Sequence, residues 1–318
     1  MRDTALEGST SVSIVIPTLN RPASLRRALE SALAQRELDA NTLEIIIVDN
    51  SPTGGAAEVI ADLSSQEKWP IRLVNLPKPG ISDARNAGVA ATRAEWIAFL
   101  DDDQEASPLW IRALLDTAVS TGADAVFGPI EARADGPGIV GPLAPYFSRT
   151  VEADQGADIT SRAAYLGTNN SMFHRLRCLN AEKPFDPTLN AIGGEDSLLL
   201  KQLALSGRHF AWAINAFVIE WVPPRRLNWS YVLRRKFLSG QIRTLVLHRL
   251  GRGQWPEILF WMTIGAVQAT FGAFASLLIR PFDTARAYRL LAIAYGGLGK
   301  LFWAERFRLK LYGAGHVT

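Results

Sequence analysis

Short apolar runs and amphipathic segments alternate through the first hundred residues of the chain. Each apolar run has the length of a buried strand and ends in polar residues or proline. Strands are predicted at 12–16, 43–48, 71–75 and 96–100, and helices at 22–34, 58–63 and 82–92. This alternation is typical of a parallel sheet with helices on its faces, so the pattern predicts an α/β fold.

The rhythm changes after residue 100, where strands and helices no longer alternate regularly. Helices are predicted at 108–121 and 196–205, strands at 125–130, 170–173 and 217–221, and a loop at 136–145. Residues 131–165 give no clear pattern of either kind. We therefore place one large α/β domain at 1–221 and a helical extension at 222–318.

The extension contains an uncharged stretch, 258–279, that is long enough to span a bilayer, for which roughly 20 residues suffice. A second helix is predicted at 284–311, and its end mixes aromatic residues with cations, as interfacial helices do. The two helices could pack on the domain as core, lie in the membrane interface, or enter the membrane as a hairpin. Of these, we expect association with the interface.

Composition narrows the class of protein further. Of 318 residues, 48% are hydrophobic, which is enough for a large core, and the single Cys178 excludes an internal disulfide. Residues 1–10 are polar, so we expect no secretory signal and a protein that stays in the cytoplasm unless its C-terminal helices bind membrane. The net charge is only +3, but residues 221–256 contain eight Lys or Arg and no Asp or Glu. Such a block predicts an anionic partner: nucleic acid, anionic lipid or pyrophosphate.

Polar clusters follow all four predicted strands of the first hundred residues, where open α/β sheets bind ligands. They are Thr18–Arg21, Asp49–Ser51, Lys78–Asn86 and Asp101–Asp103. Strand ends are also polar simply because they meet solvent. Three adjacent aspartates, however, repel one another unless a cation compensates, and carboxylates suit Mg²⁺ or Mn²⁺. The alternative is that these carboxylates cap the helix that follows, and both roles are compatible.

The motifs IPTLNR (16–21), IVDNS (47–51), GISDARNAG (80–88), FLDDD (99–103) and GGED (193–196) occur in an order that resembles the inverting family 2 glycosyltransferases. Within that family the chain is most similar to bacterial exopolysaccharide glucosyltransferases of the succinoglycan type. The resemblance implies a GT-A fold, a Rossmann-like mixed sheet flanked by helices. It also implies that a hexose moves from a UDP-sugar to a saccharide acceptor linked to polyprenyl diphosphate.

The resemblance also implies a role for individual residues. The residues implied to bind the nucleotide sugar are Pro17, Thr18, Asn20, Arg21, Asp49, Gly80, Ser82, Arg85, Asn86, Asp101 and Asp102. Asp103 and Asp101 would hold the metal ion. Asp196 would be the catalytic base, with Glu195 beside it. Asn169, Asn170 and Glu195 would contact the acceptor.

One departure from the family concerns the metal site. Many relatives carry a histidine near the last strand, whereas this chain has Ile219 there, followed by Glu220. Either Glu220 substitutes as the third ligand or that ligand is missing. The implied reaction is a single displacement that inverts the anomeric centre.

Two other functions remain open on the residues alone. The first is a non-catalytic protein that binds nucleotide or polysaccharide on the same scaffold, and the second is a nucleotidyltransferase. Nucleic-acid binding is not expected, because no nucleic-acid-binding module accompanies the basic block. We expect the enzyme at the cytoplasmic face of the inner membrane, held there by the C-terminal helices.

Overall fold

The computed structural model describes residues 11–39, 42–63 and 68–307. The expectation for residues 1–10 lies outside them. The first part of the chain alternates strands and helices as predicted: β1 Val12–Thr18, α1 Pro22–Leu33, β2 Leu43–Asp49, α2 Ala56–Leu63, β3 Ile71–Asn75, α3 Ile81–Ala90 and β4 Trp96–Phe99. The pairs β1–β2, β1–β4 and β2–β3 are all parallel. The predicted α/β alternation is therefore confirmed.

The remainder of the α/β part contains shorter elements: β5 Gln104–Ala106, α4 Trp110–Thr121, β6 Ala125–Phe127, β7 Ile130–Ala134, β8 Ser171–His174, α5 Arg175–Cys178, α6 Glu195–Leu205, β9 Phe210–Trp212 and β10 Val218–Val222. Seven strands form one sheet in the order β3-β2-β1-β4-β8-β6-β9, and β5-β10-β7 form a second sheet. β8 runs antiparallel to both neighbours, so the main sheet is mixed.

The predicted strand at 125–130 is wrong as a single element. β6 ends at Phe127, and β7 begins at Ile130 in the other sheet. Gly128 lies between the two strands, and a Cβ added there would lie 2.1 Å from the carbonyl oxygen of Ala216. The close approach of the two backbones therefore requires glycine at this point.

The main sheet is covered on both faces, which explains why its central strands are mostly apolar. In β1, Ile14 and Ile16 pack with Leu29 of α1 on one face. Val15 packs on the other face with Phe99 and Phe173. A central parallel strand buried in this way cannot show the alternating pattern of a half-exposed strand.

Three helices form the C-terminal part: α7 Trp229–Arg249, α8 Trp255–Ile279 and α9 Thr284–Leu301. α9 lies between the other two and contacts them through glycines. A Cβ at Gly240 of α7 would lie 2.2 Å from the Gly296 oxygen of α9, and one at Gly297 would lie 2.4 Å from the Gly265 oxygen of α8. These small residues let the helix backbones approach one another closely.

The predicted helix at 284–311 extends too far. α9 ends at Leu301, and a 3-10 turn follows at 305–307. Gln241 of α7 donates to the carbonyl oxygens of Phe302 at 2.6 Å and Phe307 at 2.8 Å, so these backbone acceptors are satisfied by a side chain rather than by a continuing helix. Residues 308–311 of the prediction lie outside the described residues.

Helix α8 has small residues facing the bundle and large apolar residues facing outward. Gly265, Gly272 and Ser276 are buried. The exposed side chains include Leu259, Phe260, Val267, Phe271, Phe274, Leu277 and Leu278. Residues 252–279 form the only helix in the described part of the chain that is long and apolar enough to cross a membrane. Only 17% of its most apolar 18 residues are buried, so most of this stretch is exposed in the structure.

Candidate active site

A cleft of about 960 Å³ opens at the carboxyl ends of β1 and β4. One end, which we call the acidic end, is formed by the side chains of Asp101–Asp103, Glu195 and Asp196. The other, the basic end, is formed by Lys236, Arg243 and Lys300 of the C-terminal helices. Both the α/β part of the molecule and the helical extension therefore line the cleft.

Arginines hold two of the three consecutive aspartates. Arg21 donates to Asp102 at 3.0 Å and to Asp103 at 3.3 Å. Arg226, from the segment before α7, donates to Asp103 at 3.1 Å. Asp102 also accepts the Thr18 hydroxyl at 2.8 Å. Burial raises the pKa of Asp102 to about 6 even though Arg21 opposes the shift. The chain thus brings together cations and carboxylates from the ends of the neighbouring strands β1 and β4 and from the segment before α7.

Arg85 lies between the remaining carboxylates of the acidic end. Its guanidinium donates to Glu195 and lies 3.7 Å from Asp101. Burial raises the pKa of Glu195 to about 7, against the opposing effect of Arg85, and neighbouring Asp196 adds to the increase. The pKa of Asp101 is also raised by burial, with Arg85 again opposing. Removing any one of these charges would leave the others poorly compensated.

The backbone before α6 places Asp196 in the cleft. Gly193 and Gly194 have φ values of 82° and 92°, a conformation that favours glycine, and α6 begins directly after them. One Asp196 oxygen accepts the Ser197 N–H at 2.6 Å. The other faces Gly167, where an added Cβ would lie 3.1 Å away. Asp196 thus has one oxygen fixed by its own helix and one directed toward the opposite wall.

Three residues implied to bind nucleotide do not line the cleft themselves but are next in the chain to residues that do; they are Asp49, Ser82 and Asn86. Asn86 donates to and accepts from the backbone of Phe185, at 2.7 and 3.0 Å. Asp49 accepts the backbone N–H groups of Ser51 and Ala56, each at 3.0 Å. Ser82 is buried, and its hydroxyl has no hydrogen-bond partner in the described part of the chain.

The other implied nucleotide-binding residues divide between the cleft and its edge. Pro17, Thr18, Arg21, Gly80 and Arg85 line the cleft directly. Asn20 is exposed beside it, with a φ of 53°. A residue not predicted, Asn50, fixes the loop before α3 by donating to the oxygens of Leu76 and Lys78 and accepting the N–H of Gly80. The sequence signal for it was its place in the cluster 49–51.

Asn170, which the resemblance implied to contact the acceptor, does not line the cleft in this structure. Its side chain is fully buried and accepts from the Trp110 indole N–H at 2.7 Å. Its amide donates to the oxygens of Pro129 and Ala216. All of these contacts are internal. Asn169, by contrast, lines the cleft.

Arg149 is a further residue that the sequence did not predict. It donates to the carbonyl oxygens of Gly128, Gly167 and Asn170. Burial lowers its pKa to about 10, and Glu220, Asp101 and Asp196 oppose that decrease. Arg149 therefore supports the cleft wall and adds positive charge near its carboxylates. It lies in the stretch 131–165, where no pattern marked it.

A known protein family matches the part of the chain that contains β2 to β4 and nearly all of β1. The family described as "Glycosyl transferase family 2" matches residues 13–175, just over half of the chain. The chain belongs to glycosyl transferase family 2. The matched region includes β1 from Ser13 onward, β2 to β4 and the three consecutive aspartates Asp101–Asp103, whereas Glu195 and Asp196 lie beyond it.

Relatives and solved structures agree with this family 2 assignment. The chain is 29% identical to the succinoglycan biosynthesis protein ExoM of Rhizobium meliloti, covering 96% of this chain and 97% of that protein. Its fold is similar to that of the mannosyltransferase PcManGT from Pyrobaculum calidifontis, solved with GDP-Man and Mn²⁺, with a TM-score of 0.60, 17% identity and coverage of 90% and 86%. Residues 1–349 of S. aureus TarS, in complex with UDP, give a TM-score of 0.54 at 14% identity, with coverage of 91% and 90%. The predicted GT-A fold is confirmed.

The family 2 fold implies a divalent metal ion, and the residues present fit one in part. In β10, Glu220 lines the cleft, whereas Ile219 does not. Burial raises the pKa of Glu220 to about 7, and Asp103 and Asp101 contribute to the increase. Within the described residues no three acidic, His or Cys side chains converge as a metal cage. The carboxylates of the cleft that would hold such an ion are Asp101, Asp103 and Glu220.

Proposed function

We propose that this family 2 glycosyltransferase is a metal-dependent, inverting hexosyltransferase that uses a UDP-sugar to extend a saccharide acceptor in exopolysaccharide assembly. The observation that carries the proposal is the position of Arg85, which contacts Glu195 and lies near Asp101. This arginine links the aspartate cluster to the Glu195-Asp196 pair within one cleft. The similarity to a succinoglycan biosynthesis protein over most of the chain supports the choice of pathway class.

We assign the donor to the side of the cleft formed by Pro17, Thr18, Arg21, Gly80 and Arg85. A guanidinium suits a diphosphate because it carries a fixed charge and several donors. Asp49 lies just behind this side. Its oxygens each accept one backbone N–H, which leaves lone pairs for the ring N–H of uracil. Asn20, Ser82 and Asn86 are next in the chain to residues that line the cleft.

We assign the metal, Mg²⁺ or Mn²⁺, to Asp103 and Asp101, with Glu220 beside them. When bound, such an ion would neutralise charge on the departing diphosphate. Arg21 and Arg226 now occupy the same oxygen of Asp103, at 3.3 and 3.1 Å. The proposal therefore requires these two side chains to turn toward phosphate oxygens when donor and metal bind.

The proposed reaction is a single displacement with Asp196 as the general base. The acceptor hydroxyl gives its proton to Asp196 while its oxygen bonds to the anomeric carbon. The bond between that carbon and the diphosphate oxygen breaks on the opposite side, and its electron pair leaves with UDP. The configuration inverts because attack and departure lie on opposite faces. Asn169, near Gly167 on the same wall, is assigned to the acceptor together with Glu195.

We further propose that α8 holds the enzyme at the cytoplasmic face of the inner membrane. The helix presents large apolar side chains to its surroundings and small ones to the bundle, the arrangement found where lipid rather than protein covers a helix. The exposed cations of the basic block at 221–256, such as Arg225, Arg234 and Arg252, add attraction to anionic headgroups. A membrane position would also bring the cleft close to a lipid-linked acceptor.

The direct test is Asp196→Asn, assayed by UDP release with a panel of UDP-sugars and a lipid-linked oligosaccharide. Loss of the base should lower kcat by about 100-fold or more and leave UDP binding intact. Asp116→Asn, an exposed carboxylate on α4, serves as the matched control and should keep full activity. Near-normal transfer by Asp196→Asn would exclude it as the base. Consumption of nucleoside triphosphate and sugar phosphate, without UDP release, would contradict the proposed reaction altogether.

A further inference from the structure

The basic end of the cleft contains three cations contributed by two helices. Lys236 and Arg243 come from α7, and Lys300 comes from the end of α9. All three side chains are partly buried and line the same cavity as the acidic end. Grouping cations in a partly enclosed space is unfavourable unless something of opposite charge joins them.

Protein carboxylates do not supply that opposite charge. Across the described residues, no Asp or Glu oxygen lies within 4.0 Å of the charged nitrogens of these three cations. The nearby carboxylates are used elsewhere: Glu257 pairs with Lys201 at 3.4 Å, and Glu195 pairs with Arg85. The charge of the basic end is therefore available for a ligand.

The surroundings hold these cations in place rather than neutralising them. The Arg243 guanidinium lies 4.5 Å from the ring centre of Tyr165 and 4.8 Å from that of Trp261. It also donates to the carbonyl oxygen of Ala164 at 3.3 Å. The Lys300 ammonium donates to Gln268 at 2.7 Å. Gln268 is a polar residue near the middle of the mainly apolar α8, and it too lines the cleft.

The electrostatics of the cluster agree with this geometry. Burial, with the neighbouring charges of Arg243 and Lys236, lowers the pKa of Lys300 to about 8. Burial and the charges of Arg235 and Arg243 also lower the pKa of Lys236. Both lysines carry their positive charge at a cost that an anion would offset.

The basic end is close to both the reaction centre and the apolar surface. Ala164, which accepts from Arg243, is three residues from Gly167, which faces Asp196. Trp261, which stacks on Arg243, belongs to α8, whose outer side is exposed and apolar. A ligand held here would have the catalytic carboxylates on one side and a hydrophobic surface on the other.

We propose that Lys236, Arg243 and Lys300 form a phosphate subsite for the acceptor, holding the phosphate or diphosphate that joins its saccharide to a lipid. That the bound anion belongs to the acceptor rests on the proposed function, whereas the presence of an anion-binding subsite does not. The subsite is separate from the donor diphosphate position at Arg85 and Asp103. Because it contains no carboxylate, it binds phosphate directly and needs no metal ion, which distinguishes the two sites experimentally.

Binding of farnesyl diphosphate tests the subsite without requiring the natural acceptor. The full-length protein in detergent is titrated calorimetrically in the presence of EDTA, so that no metal supports the donor site. We expect saturable binding that weakens about tenfold in each of Lys236→Gln, Arg243→Gln and Lys300→Gln, which corresponds to about 1.4 kcal/mol each. Arg234→Gln, which removes an exposed cation from the same helix, should change the Kd less than twofold. Unchanged binding in all three cleft variants would overturn the proposal.

Three further probes identify the group that is recognised. Farnesol should bind at least tenfold more weakly than farnesyl diphosphate, and equal binding would exclude a phosphate subsite. Inorganic pyrophosphate should also bind more weakly, and equal affinity would exclude an amphipathic ligand. Phosphatidylglycerol vesicles that displace farnesyl diphosphate would assign the cluster to a bilayer headgroup and overturn its role in acceptor binding.

A UDP titration with Mn²⁺ separates failure of this inference from failure of the proposed function. If the wild type does not bind UDP, the proposed function is wrong whatever the outcome at the basic end. If UDP binds but the three variants leave farnesyl diphosphate affinity unchanged, only the acceptor subsite is wrong. Lys300→Arg, which keeps the charge, should retain most of the affinity and so excludes a merely structural effect.

Discussion

The Arg85 guanidinium donates to the Glu195 carboxylate, which ties helix α3 to the start of helix α6 across the cleft. Both side chains are almost completely buried, with 7% and 5% of their surfaces exposed. An ion pair in such a place is costly to desolvate and is strongly destabilised when only one partner remains. The pair therefore fixes the distance between α3 and the start of α6.

We expect Arg85→Met to lower the free energy of unfolding by about 3 kcal/mol, because Glu195 would be left buried without a cation. The double variant Arg85→Met/Glu195→Gln should recover at least about 1 kcal/mol of that loss, since neither side chain is then charged. Chemical denaturation of wild type, both single variants and the double variant measures this coupling. Strictly additive losses would contradict a coupled buried pair. Transfer activity should be low in all three variants.

The two adjacent asparagines should behave in opposite ways. Asn170→Ala should lower the free energy of unfolding by about 2–4 kcal/mol, because it removes the hydrogen-bond partners of the buried Trp110 N–H and the Ala216 carbonyl oxygen. Asn169 lies in the cleft wall. Asn169→Ala should therefore have the melting temperature of the wild type but a higher KM for the acceptor. Thermal unfolding and acceptor kinetics on the same preparations make the comparison. A stable Asn170→Ala with a raised acceptor KM would restore Asn170 as a ligand-binding residue.

Alanine at Gly240 should destabilise the protein, although Gly→Ala in a helix ordinarily stabilises by about 1 kcal/mol. The added Cβ would lie 2.2 Å from the Gly296 oxygen, so α7 and α9 would have to separate. Overpacking of this kind costs about 1–3 kcal/mol and should appear as a lower melting temperature. Gly253→Ala is the matched control, because a Cβ there has no atom within 4 Å. Equal melting temperatures for both variants would show that the helices do not pack as closely as described.

Glutamates on the outer face of α8 should release the protein from membranes. Phe271 and Phe274 are 68% and 62% exposed, so Phe271→Glu/Phe274→Glu leaves the protein interior untouched. Each charge disfavours the apolar phase by about 2.5–3.5 kcal/mol at its centre. Val119→Glu/Ile139→Glu makes the same change at exposed positions of the α/β part, which are 75% and 84% exposed. Fractionation of cell lysates should find only the α8 variant in the soluble fraction. Recovery of the wild type there would contradict membrane association.

The sequence predicted the first four strands because each is a mostly apolar run with a polar end. The same polar ends contained Asp101–Asp103, which the structure brings together with the distant Glu195 and Asp196. The strands β5 and β9 escaped prediction because three residues are too few to show a period. Their existence depends on pairing with segments far away in the chain.

The roles of individual polar residues were harder to predict than the elements that carry them. Asn169 and Asn170 are neighbours of the same type, yet one lines the cleft and the other is fully buried. What separates them is the φ of 51° at Asn170 together with the position of Trp110, and neither can be deduced locally. Arg149 was missed for the same reason, since its partners are carbonyl groups that any residue type provides.

The position of α9 between α7 and α8 has a practical consequence for shortened versions of the protein. A chain cut before Thr284 would expose the glycine-lined grooves of both remaining helices, including the surfaces of Gly240 and Gly265. It would also lose Lys300 from the cleft wall. Deleting only the last helix should therefore yield an inactive protein that aggregates. A soluble shortened protein will require that all three helices are kept or that all three are removed.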